Sequence, residues 1–93
     1  MCRVGVPGVL RQYTSGAASV PVEHADGASL ADVLGTLGTS CPGIGRRILD
    51  ERGELRRFVN VYVDGEDARR LRGLGTPVPA AAEVLIVPSI AGG

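Results

Sequence analysis

Val84-Leu85-Ile86-Val87-Pro88-Ser89-Ile90-Ala91-Gly92-Gly93 closes the chain, and the change of character inside that stretch sets the reading of everything before it. Residues 84–87 are apolar on both faces of an extended backbone, the pattern of a central strand. Pro88 cannot donate to a ladder and ends the strand. Beyond it, Ile90, Ala91, Gly92 and Gly93 carry no ionisable or bulky polar side chain. The two glycines lack a Cβ and let another protein's backbone approach closely, which suits a tail threaded into a narrow cleft. Its chemical offering is the α-carboxylate of Gly93, ionised at neutral pH because its reference pKa lies near 3.5. Such a group can attack the α-phosphate of ATP in a partner enzyme and form an acyl-adenylate. Fully extended, residues 89–93 reach at most roughly 17 Å. A folded domain over residues 1–88 with a flexible tail over 89–93 is therefore expected. Terminal glycines are also ordinary in a frayed end, so the rest of the chain has to carry the weight.

That chain has 93 residues, one domain by length, able to bury roughly 60 to 65% of its extended surface. It is 44% hydrophobic with one Phe, two Tyr and no Trp, so the core must be built from Val, Leu, Ile and Ala. Aromatic platforms for stacking nucleic-acid bases are missing. Ten acidic and ten basic residues cancel, which argues against nucleic acid or an anionic membrane as a partner captured by bulk charge. All the basic residues are arginine, leaving the N-terminal amine as the only acceptor for a self-linked chain. No stretch approaches the ~18 apolar residues of a transmembrane helix and the N-terminus has no signal-peptide core, so a cytoplasmic location is expected. Cys2 and Cys41 are isolated, without metal-ligand spacing, and read as reduced thiols.

Taken in order, Cys2 to Val6 alternates as a short strand and ends at Pro7-Gly8. Ala18-Ser19-Val20-Pro21-Val22 alternates again, and an antiparallel pair is the simplest connection, with Pro21 demoting the second strand to an edge. Ser29 is an N-cap for a helix whose Leu30, Val33, Leu34 and Leu37 share one face, with Gly38 as its C-terminal stop. Residues 44–49 add a helical turn before the charged loop 50–54. Phe58-Val59-Asn60-Val61-Tyr62-Val63 is a strand with its valines on one face and Phe58, Asn60 and Tyr62 on the other. Asp64-Gly65 marks a tight turn, residues 67–75 an edge strand or irregular crossing, and Thr76-Pro77-Val78-Pro79 a loop. A mixed four- to five-stranded sheet with one main helix on one face follows, an α+β architecture of β-grasp, ubiquitin-like type.

The strand Arg57-Phe58-Val59-Asn60-Val61-Tyr62-Val63 before an acidic turn, together with the tail Val87-Pro88-Ser89-Ile90-Ala91-Gly92-Gly93, resembles the ubiquitin-like sulfur carriers typified by ThiS and MoaD. The resemblance spans essentially the whole chain and looks closest to the carrier of an alternative cysteine synthesis. It implies that Gly93 is adenylated by a ubiquitin-activating-type adenylyl/sulfurtransferase, which consumes ATP, and is converted to a thiocarboxylate. The carrier itself would bind no cofactor and no metal. It implies a sulfur-accepting synthase as second partner, of cysteine-synthase type or of thiosugar or thiazole type, and a metallopeptidase releasing a cysteine product. MoaD-like carriers often place an aromatic residue before the tail proline, where this chain has Val87. That departure weighs against a molybdopterin-synthase small subunit.

No catalytic constellation of its own is visible. His24 beside Glu23 reads as an exposed loop histidine, and Cys41 has no paired base near it in sequence. Two other classes stay open on the residues alone: a protein modifier joined to lysines through Gly93, and a passive docking module for which the glycines are incidental. The sheet face opposite the helix is the expected docking surface, with Phe58, Tyr62 and Ile90 as its candidates and Arg57 at its rim.

Overall fold

The computed structural model describes residues 1–88. Its first strand, β1 (Cys2–Gly5), leads into a 3-10 helix over Gly8–Tyr13 and returns as β2 (Ser19–Val22). The two strands are antiparallel, with Val4 opposite Val20. The 3-10 helix departs from the expected simple turn: Leu10 is buried while its neighbour Val9 is 68% exposed. Three residues per turn is the tightest way to bury one side of so short a segment.

After β3 (Ala28–Ser29) comes α1 (Leu30–Ser40). Ser29 caps it, its Oγ accepting from the Asp32 N–H at 3.2 Å. Leu30, Val33, Leu34 and Leu37 are all fully buried, each contributing about 1.5–3 kcal/mol of burial free energy. The expected stop at Gly38 is corrected: the helix continues to Ser40. At Gly38 the helix meets Gly45 of α2 (Ile44–Ile48), where a Cβ would lie 3.5 Å from the Gly45 Cα, an ordinary contact distance. The side chains of Ile44 and Ile48 complete the core.

β4 (Val59–Val63) turns through Asp64 and Gly65, whose φ angles of 50° and 86° are those of a two-residue hairpin with both central residues left-handed, into β5 (Glu66–Asp67). The expected loop at residues 76–79 is also corrected, because β6 (Pro77–Val78) pairs antiparallel with β3. The last strand, β7 (Glu83–Pro88), completes a five-stranded sheet of order β2-β1-β7-β4-β5. β7 is central, parallel to β1 and antiparallel to β4, so the sheet is mixed. Pro21 lies in the edge strand β2, as expected. α1 covers one face of this sheet, giving the two-layer β-grasp. Among the described residues no helix is long and apolar enough to cross a membrane.

Candidate functional site

The tail residues Ile90, Ala91, Gly92 and Gly93 lie outside the described residues; what is described is the place from which they leave. At the end of β7, Val87 stands opposite Asn60 and Pro88 opposite Val59. The tail therefore starts beside the beginning of β4, from a strand paired with β1 over residues 83–85 and with β4 up to its end. Val59 N–H donates to Arg56 O at 3.0 Å, closing a turn with Arg57 and Phe58 at its tip. Phe58 is consequently not part of the strand, as its sequence pattern implied, but a turn residue 47% exposed. The Arg57 guanidinium carbon sits 5.9 Å from the centre of its ring. A planar cation over an aromatic face makes an exposed pair that is both basic and apolar.

Tyr62 lies further along β4 and is half-buried on the face opposite α1, between the buried Val61 and Val63. Opposite it in β7 is Leu85, 49% exposed. Tyr62, Leu85, Val87, Glu83 and Gly65 together line a shallow depression of about 470 Å³. Leu85 extends over β1 because Gly5 leaves room for it; a Cβ at Gly5 would lie 2.8 Å from its Cδ1. Leu85 is the apolar centre that the sequence reading did not name. Its signal was present in the alternation of β7, where Val84 and Ile86 face the core and residues 85 and 87 must face away. A larger depression of about 640 Å³ lies between α1, α2 and the loop after α2, lined mostly by glycine, threonine and charged side chains. Its lining reaches Arg56 but includes no residue of β4 or β7, and the site is assigned by the tail rather than by cavity size.

The chemistry-bearing side chains do not assemble into a reactive centre. Cys2 and Cys41 are both buried free thiols, and burial pushes the Cys2 thiol above its ordinary value, away from the nucleophilic thiolate. His24 is corrected from exposed to half-buried: its Nδ1 lies 2.7 Å from Ala25 O and its Nε2 is enclosed without a hydrogen-bond partner among the described residues. Among those residues no group of three His, Cys, Asp or Glu could hold a metal ion.

The described residues thus place an exposed basic and apolar pair, Arg57 and Phe58, and an outward-facing Leu85 beside and along the strand that ends at Pro88. Residues 4–93 match the ThiS family, and the chain belongs to it. It is a sulfur carrier protein of the ThiS and CysO type, not an enzyme. "Sulfur carrier protein CysO" of Mycobacterium tuberculosis is 40% identical over 92 residues, covering 97% of this chain and 96% of that protein. A chain in the crystal structure of the Amycolatopsis orientalis BexX/CysO complex is 34% identical, with a TM-score of 0.89 and 100% of both chains covered. Small archaeal modifier protein 3 of Haloferax volcanii is 32% identical over 68 residues, 73% of each chain.

Proposed function

We propose that Gly93 carries sulfur as a C-terminal thiocarboxylate. The single observation behind this reading is that β7, between β1 and β4 at the centre of the sheet, leads into an Ile90-Ala91-Gly92-Gly93 tail with no ionisable side chain. A carboxylate oxygen of Gly93 attacks the α-phosphorus of ATP in an activating enzyme; the bond to the β-phosphate breaks and pyrophosphate leaves. Hydrosulfide then attacks the acyl carbon, AMP leaves with the oxygen, and the thiocarboxylate remains. The carrier holds no ATP of its own. These steps belong in the cytoplasm, where ATP is supplied. Incubation with the activating enzyme, ATP and a sulfide source should raise the intact mass by the difference between sulfur and oxygen. An unchanged mass beside an enzyme that activates its own carrier refutes the reading.

The acceptor we infer is an activated serine bound in a pyridoxal-phosphate enzyme of cysteine-synthase type, with a metallopeptidase releasing the product. Support comes from the CysO carrier that matches nearly the full chain. A thiosugar or thiazole synthase is the alternative acceptor. Mixing the thiocarboxylate with a cysteine-synthase-type enzyme and O-phosphoserine separates the two: a covalent carrier-cysteine adduct supports the first, and persistence of the thiocarboxylate supports the second. A protein-modifier role through Gly93 is favoured by the archaeal modifier relative, and covalent adducts of tagged carrier on other proteins would reveal it.

A further inference from the structure

Arg69 occupies a place that the sulfur chemistry does not explain. Its backbone is fixed: the N–H donates to Asp67 Oδ1 at 2.9 Å, and Asp67 is paired with Tyr62 of β4. From that anchor the side chain reaches back along β4 and divides. Nη1 donates to Asn60 Oδ1, and Nη2 donates to Arg56 O at 2.8 Å. Arg56 O thereby accepts twice, once from Arg69 and once from the Val59 N–H that closes the turn. The two acceptors bracket Arg57 and Phe58, and the residues opposite this bracket in β7 are Val87 and Pro88. A rigid, planar guanidinium fork is the side chain suited to spanning two acceptors at once.

We propose that Arg69 is a positioning residue: it clamps the turn bearing Arg57 and Phe58 to the strand beside which the tail emerges, and so fixes the surface a partner enzyme meets as it takes the tail. This rests on the carrier reading above. The clamp holds geometry at the tail's root and adds little to the core, because Arg69 is itself exposed. Its loss should therefore be felt in partner engagement rather than in folding.

The test is ATP–pyrophosphate exchange catalysed by the activating enzyme with the full chain, alongside hydrogen exchange of the Val59 amide. In Arg69→Ala the KM for the carrier should rise about tenfold with kcat near wild type, and the thermal midpoint should fall by no more than a few degrees because the lost bonds are exposed. Val59 amide exchange should accelerate relative to that of Val61. Arg69→Lys keeps the charge but not the fork and should stay impaired. Asn60→Ala removes one arm and leaves the cation, so it decides the matter if Arg69→Ala fails to fold; its KM should rise about threefold, the scale of a single weaker hydrogen bond. Full recovery in Arg69→Lys, or wild-type KM and Val59 exchange in Arg69→Ala or Asn60→Ala, overturns the clamp. A wild-type chain that is not adenylated overturns the carrier reading instead, and Val59 exchange alone then decides whether the clamp exists.

Discussion

Val84 and Ile86 are each 1% exposed, whereas Leu85 between them is 49% exposed. Across residues 84–87 both faces of β7 are apolar, and their fates are opposite. One face lies beneath α1 with Val4, Val61 and Leu34 in the core; the other faces outward with Tyr62 and Val87 around it. Apolar character in a strand thus records that a face will be covered without recording by what. In a two-layer domain only one face is covered from within the chain, and an apolar patch left on the other is the mark of an interaction surface.

The largest effect that can break this comparison comes from equal truncations on the two faces. Ile86→Ala should cost about 2–5 kcal/mol of stability, the range for an isoleucine removed from a closed core. Leu85→Ala should cost less, about 1 kcal/mol, because its side chain is already 49% exposed. Urea unfolding of both variants measures the difference directly. Comparable losses would mean that Leu85 belongs to the core and that the two faces are not distinct.

The next effect concerns function. Leu85→Glu places a charge at the centre of the depression formed with Tyr62 and Val87, and should weaken binding to the activating enzyme or the synthase by about tenfold, roughly 1.4 kcal/mol. The thermal midpoint should stay near wild type. Calorimetric titration with either partner reads the loss; unchanged affinity for both would move the docking surface away from this face and toward the turn at Arg57 and Phe58.

Periodic elements were legible in the sequence because their signals are local. The spacing of Leu30, Val33, Leu34 and Leu37, the alternation of Val59, Val61 and Val63 and the apolar run of residues 84–87 each identify a face, and the fold follows from covering those faces. The parts that were missed depend on distant neighbours. Gly38 reads as a helix stop until the helix is seen to run past it and meet Gly45. Two residues of β6 have no period at all, and they become a strand only through Ala28 and Ser29. Phe58 continues the alternation of β4, yet the bonds from Val59 N–H and Arg69 to Arg56 O make it the tip of a turn. The same holds for the site: the tail's composition was readable, but Leu85 and Arg69 acquire roles only through the register of β7 on β4 and the reach of one side chain across it.

The smallest expected effect asks whether the helix side of the molecule can be perturbed while the open face stays still. In the loop after α2, Asp50 Oδ1 accepts from the N–H groups of Arg52 and Glu54 at 2.9 and 3.0 Å. The bond from Glu54 is the main reason its carboxyl is held below its ordinary value of 3.8, with Arg52 and Arg56 adding to it. A carboxyl lowered on folding stabilises the folded loop fully above its ordinary value, and that contribution is lost as pH falls through the lowered one. The loop should therefore loosen only in acid, below pH 3.8. In a pH titration followed by NMR, the Arg52 and Glu54 amides should shift together with a midpoint below 3.8, while those of Leu85 and Val87 do not follow that transition. Asp50→Asn keeps an acceptor oxygen and removes the titration, so the transition should vanish from the loop. If the Leu85 and Val87 amides move with it in the wild type and are silenced by the same substitution, the two sides are coupled, and the separation between a self-contained helix face and an independent docking face does not hold.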